Sequence, residues 1–573
     1  MCGIHAILSR TSPSPQSQHS QPLPPLSQGL KNHLLARGPD HFGQVDRHFP
    51  AGNTEWALRF TSTVLALRGD HVARQPLTDP TTGSVLCWNG EAWRVGGERV
   101  GQGKNDGEVI FGRLVAAAAG GGASAEEGEG EGVEGVMALL RKIEGPFAFV
   151  FYDAMRGRVW FGRDRLGRRS LLRQGLFADG SDRMALCSVA GEAGEGLTEV
   201  EADGVYLIEL GEGGREERYD WVVEKEARDF VSGIGRFNKT VPSDTTPLTA
   251  GSPAVGSLKH QLLESLGLRI LNIPLPPGFE ANGKTRVAVL FSGGLDCTVL
   301  ARLCHEILDA DQGIDLLNVA FENPRVVAQL QKENCNLPDF YEACPDRITG
   351  RRSFTGLQKV CPGRAFRFVA VNVPYTETQA HRQQVISLIH PHNTEMDLSI
   401  AYALYFAARG QGFCTEDSGS DSPPVPYTSP ARVLLSGLGA DELFGGYSRH
   451  PSAFQQRGYA GLVDELLLDV GRLGKRNLGR DDRAMAHWGK EVRFPFLDER
   501  LVRWAIETPA WEKCDFNHGE EISGIEPGKR ILRLLALQLG MESVAREKKR
   551  AIQFGSRTAK MESGRVRGTT LIS

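Results

Sequence analysis

The stretch RVAVLFSGGLDCTVLARLCHEIL (286–308) constrains the fold more than any other part of the chain. It opens with an unbroken apolar run, the pattern of a strand buried on both faces, passes through a glycine pair and continues with helical spacing. A strand that turns straight into a helix must pass its helix back across a sheet before the next strand pairs, which makes neighbouring strands parallel. Further apolar runs, LLNVAF (316–321), FRFVAVNV (366–373) and RVLLSG (432–437), alternate with helical segments, and KRILRLLALQLG (529–540) reads as an amphipathic helix. The second half is therefore expected to be a parallel sheet with helices on both faces.

The SGGLDC turn itself, residues 292–297, suggests chemistry. At the carboxyl end of a parallel strand it faces the crevice where such sheets take ligands. Gly293 and Gly294 let the backbone approach an anion, and Ser292 and the first N–H groups of the helix supply donors. Asp296 beside a phosphate makes sense when Mg²⁺ lies between them. A glycine pair alone is equally well a plain turn, and the spacing is not that of the GxxxxGK[ST] loop. It resembles the SGGxDS loop of the ATP pyrophosphatases, with Cys297 where that loop has serine.

The first third reads differently. FAFVFYD (147–153), RVWFG (158–162) and GVYLIEL (204–210) are short, aromatic and β-branched, and turn residues separate them, so a sheet-rich domain is expected. Low-complexity segments at 11–28 and 116–135 read as insertions, and a polar Gly/Pro/Ser/Thr-rich stretch as a linker. The expected organisation is 1–215, a linker over 216–257, and 258–573.

Several classes of function are excluded or disfavoured. The formal charge of −4 argues against broad nucleic-acid or anionic-membrane binding. The ten cysteines form no CxxC pair, which argues against a structural zinc site and for reduced thiols. No run of about 20 apolar residues and no basic-then-apolar leader is evident, so a cytoplasmic protein without a membrane partner is expected. The opening MCG puts Cys2 behind the initiator methionine. That is either chance, or a residue that offers both a thiol and a free α-amine once Met1 is removed.

Taken together, MCG, RGPD (37–40), LRG (67–69), WNGE (88–91), NDGEVI (105–110), FGRDRLGRRSLL (161–172), SGGLDC, SGLGADELFGGY (436–447), EVRFPFLDE (491–499) and GKRIL (528–532) resemble the glutamine-dependent asparagine synthetases. DLLNVAF, PDRITGR, NLGRDDR and QFGSRTAKME are similar to a eukaryotic branch of that family. The resemblance implies an N-terminal-nucleophile glutaminase sandwich (α+β) followed by a parallel-sheet ATP pyrophosphatase domain of adenine nucleotide α-hydrolase type (α/β).

It further implies Cys2 as nucleophile, with the Asn89 side chain and Gly90 N–H as oxyanion hole, and Arg68, Glu91 and Asp106 as glutamine-binding groups. In the second domain it implies ATP contacts from Leu290, Ser292, Gly293, Gly294, Asp296, Val319, Ser436 and Gly437. Mg²⁺ falls to Asp296 and Asp441, and phosphate charge stabilisation to Lys529. The implied cofactors are ATP and Mg²⁺, the implied substrates glutamine and a carboxylate such as aspartate, and a homodimer is compatible with the family. RGPD and GRDRLGRRS are expected to be architectural.

One position departs. Where the family reads SGEGSDE this chain reads SGLGADE, placing Leu438 at the position of a glutamate that supports adenylate formation and ammonia handling. A lost acid–base group typically costs about 10²- to 10⁴-fold. The neighbouring Glu442 is a candidate substitute. Three readings therefore stand: an asparagine synthetase, an amidotransferase for another carboxylate, or a noncatalytic protein that senses glutamine or ATP.

Overall fold

A computed structural model describes residues 2–11, 23–120, 131–175, 181–191, 196–211, 213–222, 230–275, 285–332, 339–416, 423–518, 524–561 and 567–572. The chain is mixed α/β and forms two compact units, the first built from 1–227, 272–278 and 473–489, the second from 228–271, 279–472 and 490–573.

The first unit holds two six-stranded antiparallel sheets. One runs in the order Thr198–Glu199, Leu172–Gln174, Arg183–Cys187, Gly3–Thr11, Thr54–Val64, His41–Ala51. The other runs Arg215–Asp220, Gly204–Glu209, Arg158–Arg163, Phe147–Asp153, Val85–Gly90, Leu77–Thr78. A core on each face of the strand explains why FAFVFY, 147–152, carries no charge. Ala148, Val150 and Tyr152 join Ile4, Leu8, Trp56 and Phe60 in a core shared by the two sheets. Phe147, Phe149 and Phe151 point the other way and pack with Ile110, Leu114, Val136 and Leu140 of the helices Asp106–Ala118 and Glu131–Arg141.

The second unit carries a seven-stranded sheet in the order Val425–Thr428, Gln411–Thr415, Phe366–Val373, Ile314–Phe321, Val287–Leu290, Val433–Leu435, Glu491–Arg493. The last five are parallel to one another, and the first two form an antiparallel edge. Every residue of Ile314–Phe321 is buried, as the apolar run predicted for a strand covered on both faces. Val287–Leu290 lies between Ile314–Phe321 and Val433–Leu435, so the carboxyl ends of three parallel strands meet at one edge.

Several expected boundaries are corrected. The strand Arg215–Asp220 pairs along the whole of Gly204–Glu209, so the first sheet system runs past 215 into the expected linker. The remainder of 216–257 is largely built structure. Phe230–Val231 and Gly235–Arg236 form a hairpin, Val231, Ile234, Phe237 and Leu248 are buried, and Pro253 starts the helix Pro253–Ile270. A few apolar residues in a polar segment suffice to pin it, and average composition hides them. Residues 223–229 lie outside the described residues.

The expected insertions are shorter than drawn. Gln28 already belongs to the helix Gln28–Arg37, and 116–118 and 131–135 are helical, while 12–22 and 121–130 lie outside the described residues. The expected second domain, 258–573, also includes too much, because 473–489 packs with the first unit. The reason is ionic. Arg37 pairs with Asp482 at 2.9 Å, both fully buried, and Arg483 reaches Ser170 Oγ at 2.8 Å. Buried charges of this kind persist only when paired. The expected architectural role of GRDRLGRRS matches this geometry. Asp164 accepts from Phe147 N–H and Arg168 N–H and pairs with the Arg168 guanidinium at 2.9 Å.

Candidate active sites

In the first unit, Cys2 immediately precedes the buried strand Gly3–Thr11 and is itself buried. Its backbone N–H donates to Asn89 Oδ1 at 2.9 Å, and Gln75 Nε2 lies 3.7 Å from its sulfur. Gln75 Oε1 in turn accepts from Trp88 N–H at 2.8 Å. The thiol is thus tied to the strand Val85–Gly90, whose last two residues are Asn89 and Gly90. Asn89 is fully buried, and its Nδ2 has no hydrogen-bond partner among the described residues. A buried donor left open costs about 1–3 kcal/mol, so one beside a buried thiol is able to receive negative charge.

Arg68, Glu91 and Asp106 gather around the turn that follows. Arg68 Nε lies 3.5 Å from Glu91 Oε2, and its guanidinium stacks over Trp93 at 5.2 Å. Asp106 Oδ2 accepts from Trp88 Nε1 at 3.1 Å and from Ala92 N–H at 2.8 Å, which fixes the backbone on either side of Asn89 and Gly90. Burial pushes the Asp106 carboxyl above the ordinary carboxylate range, against the pull of Arg68. Asn105 caps the helix that carries Asp106 and donates to Arg68 O at 3.4 Å, so one helix start holds both loops. Gln75 and Trp93 carried no sequence signal: each is a lone residue whose role arises only from packing.

In the second unit, Leu290, Ser292, Gly294, Asp296, Val319, Ser436, Gly437, Asp441 and Lys529 all line one cavity of about 200 Å³. Gly293 does not line it. Its φ of +79° makes the turn, and a Cβ there would stand 2.5 Å from the backbone of Gly350. The helix Leu295–Ile307 starts directly after the turn.

Lys529 is the centre of the charge arrangement. Its ammonium lies 2.8 Å from both oxygens of Asp296 and 2.8 Å from Asp441 Oδ1, and Lys549 pairs with Asp441 Oδ2. Burial alone would lower the Lys529 ammonium, but Asp296 and Asp441 more than offset it and raise it above the ordinary lysine range. Burial raises the Asp296 carboxyl, whereas at Asp441 Lys529 and Lys549 together outweigh burial and hold the carboxyl below its usual range. Lys529 also has φ of +53°, a left-handed conformation that costs about 1–3 kcal/mol for such a residue, as functional sites tend to store. Its N–H is held by Phe444 O at 2.9 Å. A Cβ on Gly446 would meet Asp441 Oδ1 at 1.9 Å, so glycine there is what admits the carboxylate.

Leu438 does not line this cavity; it is half-buried and its N–H donates to Ser436 Oγ at 3.3 Å. Glu442 is no substitute within the cavity, because its carboxylate accepts from Tyr447 Oη and lies outside the lining. The cavity does include Asp346, Thr349, Arg533, Lys549 and Arg550, none of which was singled out from sequence. The motif PDRITGR, which holds Asp346 and Thr349, and the run KKR at 548–550 were the available signals, and charge runs are more often solvated faces.

No helix among the described residues is long and apolar enough to cross a membrane, and no group of three or more His, Cys, Asp or Glu among them is placed to hold a metal.

Comparison with known proteins adds the lineage. The asparagine synthase family model matches residues 452–570. Asparagine synthetase domain-containing protein 1 of Bos taurus is 33% identical over 94% of this chain and 93% of its own length. An asparagine synthetase domain-containing protein of Saccharomyces cerevisiae is 33% identical over 94% of this chain and 90% of its own. A probable glutamine-hydrolysing asparagine synthetase of Schizosaccharomyces pombe is 23% identical over 91% of this chain and 78% of its own.

Proposed function

The chain belongs to the family of asparagine synthetase domain-containing proteins, and from that premise we propose that it is a glutamine-hydrolysing, ATP-dependent amidotransferase acting on a carboxylate, with aspartate the first candidate. The observation that carries this reading is the pairing of two different reactive clusters in one chain: a buried cysteine beside an open amide donor, and a lysine set between two carboxylates at a phosphate-type loop.

In the first half, which the reading takes as a glutaminase of the N-terminal-nucleophile class, the Cys2 thiol attacks the side-chain amide of glutamine. The α-amine that Met1 removal frees takes the thiol proton and returns it to the leaving ammonia, and water then cleaves the resulting thioester, releasing glutamate and restoring the thiol. Asn89 Nδ2 and Gly90 N–H receive the oxyanion. Arg68 offers a planar donor to the α-carboxylate, and Glu91 and Asp106 supply negative charge toward the ammonium end.

In the second half an acceptor carboxylate oxygen attacks the α-phosphorus of ATP and pyrophosphate leaves. Ammonia then attacks the acyl adenylate and AMP departs. Lys529, kept fully protonated, offsets charge on the phosphate. Mg²⁺ fits the donor set present. The carboxylates of Asp296 and Asp441 flank the Lys529 ammonium, each 2.8 Å from it, and Mg²⁺ takes one or two carboxylates plus substrate phosphates rather than an all-protein cage. Asp296 and Asp441 would hold it, and it would supply charge neutralisation at the pyrophosphate. The reading places the protein in the cytoplasm, with no nucleic-acid partner.

Purified protein incubated with glutamine, ATP, Mg²⁺ and aspartate is expected to release asparagine, AMP and pyrophosphate. A second reading, amidation of a different carboxylate, rests on Leu438, which removes the family's glutamate. Pyrophosphate exchange over a panel of carboxylic acids separates the two. Nucleotide and glutamine binding without turnover on any acceptor overturns both and leaves a noncatalytic sensor.

A further inference from the structure

Asp346 is 6% exposed, lines the cavity of the second unit and has no part in the chemistry above. It stands in the first turn of the helix Pro345–Val360, and two sets of contacts fix where that turn sits. On one side, Thr349 and Gly350 abut Gly293, and Ser353 Oγ donates to Gly293 O at 2.6 Å, so the helix leans on the phosphate-type loop. On the other, Asn318 Nδ2 donates to both Phe291 O, at 2.8 Å, and Asp346 O, at 2.9 Å, which fastens the helix start to the strand end carrying Leu290 and to the residue before Val319. Asp346 is thereby held between the loop that would meet phosphates and the two strand-end positions that would meet the base. What lies between phosphate and base in a nucleotide is the sugar.

The carboxyl is placed by steric walls more than by partners. A Cβ on Gly555 would come within 2.0 Å of Asp346 Oδ1, so the side chain lies flat on that glycine. Its ion pair, with Arg550 Nη1, is at 3.8 Å, longer than a hydrogen bond. A buried acceptor with so little internal engagement, bordering a cavity, is fitted to a ligand donor.

We propose that the Asp346 carboxyl accepts a hydrogen bond from a ribose hydroxyl of the bound nucleotide and so selects ribonucleotides over their deoxy forms. Carboxylates pair readily with vicinal sugar hydroxyls, and a site built around such a hydroxyl disfavours ligands that lack it. This rests on the second unit binding ATP.

Calorimetric titration of the full chain with ATP, 2′-deoxy-ATP and 3′-deoxy-ATP in the presence of Mg²⁺ tests it. The unaltered protein is expected to bind at least one deoxy analogue about tenfold more weakly than ATP, the worth of one buried hydrogen bond. In Asp346→Ala that ratio is expected to fall to near one through weaker ATP binding, while Asp346→Asn, which keeps an oxygen acceptor, retains it. Asp346→Leu repeats the test without leaving a void, and a cooperative thermal unfolding transition matching that of the unaltered protein reports that the second unit of each variant is folded. ATP binding with no discrimination, or discrimination that survives in both Ala and Leu variants, overturns the assignment. Failure of the unaltered protein to bind ATP overturns the nucleotide reading as well, and the two failures are distinct.

Discussion

The two units place their reactive groups in opposite ways. In the first, Cys2 and Asn89 are set by strands of the core itself, the cysteine just before one central strand and the asparagine next to last in another, with the loop residue Gln75 between them. In the second, the groups sit outside the sheet at helix starts, and residues as distant in sequence as Asp296, Asp441 and Lys529 satisfy one another electrostatically. An antiparallel sandwich offers its site from within the hydrogen-bonded sheet, so position is fixed by register. A parallel sheet offers a crevice whose geometry depends on loops, so charge has to hold the loops together. The first site is expected to be rigid and intolerant of small changes; the second is expected to answer to charge.

The sharpest way to break this comparison is Cys2→Ala. Glutamate release from glutamine is expected to fall at least about 10³-fold, while nucleotide binding in the second unit is unchanged. Loss of both would mean that the halves are not separable functions. Lys529→Ala is the counterpart: pyrophosphate exchange is expected to fall about 10²- to 10³-fold with glutaminase activity intact, and Lys529→Arg, too large and forked for a point between two carboxylates, is expected to rescue little. Asn89→Ala is expected to cost glutamine hydrolysis about 10²-fold in kcat with a smaller change in KM, the signature of a group that acts on the transition state.

A smaller effect comes from pH, and it runs in opposite directions in the two units. His5, buried in the first unit, is pushed down to about 4 by its burial and by Arg59. Its neutral form is favoured by folding, so its contribution is complete above about 6.5 and is lost as pH falls toward 4. Burial pushes Asp346 in the second unit up to about 7, against the pull of Arg550. A carboxyl raised in this way favours folding below about 4 and loses that contribution as pH rises through 7. Comparing His5→Gln with Asp346→Asn by thermal unfolding between pH 5 and 8 is expected to show the first flattening the acid-side loss and the second raising stability only on the alkaline side. A pair of variants with parallel pH profiles would contradict it.

Much of this was legible in the residues. The strand runs at 316–321, 366–373 and 432–437 fall within or around observed parallel strands because complete burial demands unbroken apolar residues. The turn at 292–294 between strand and helix was legible too, because a glycine pair there frees the backbone to reverse direction. The cavity then collects nine of the residues named for it, while Gly293 and Leu438 stand apart. The boundaries were less legible. Arg215–Asp220 is a charge-rich edge strand without an apolar run, and 473–489 joins the first unit through buried arginine–aspartate pairs that no periodicity announces.

By itself, then, the sequence determined the elements, the location of the turn and the residue types that carry chemistry, because local patterns of burial and backbone freedom are written in neighbouring residues. Only the tertiary structure decided that Asn89 keeps an open donor beside Cys2, that Lys529 adopts a left-handed backbone between Asp296 and Asp441, that Leu438 does not line the cavity, and that Asp346 borders it. Each of these is a relation between residues far apart along the chain. Whether a polar group is satisfied, or a charge compensated, depends on what packing brings to it rather than on what precedes or follows it.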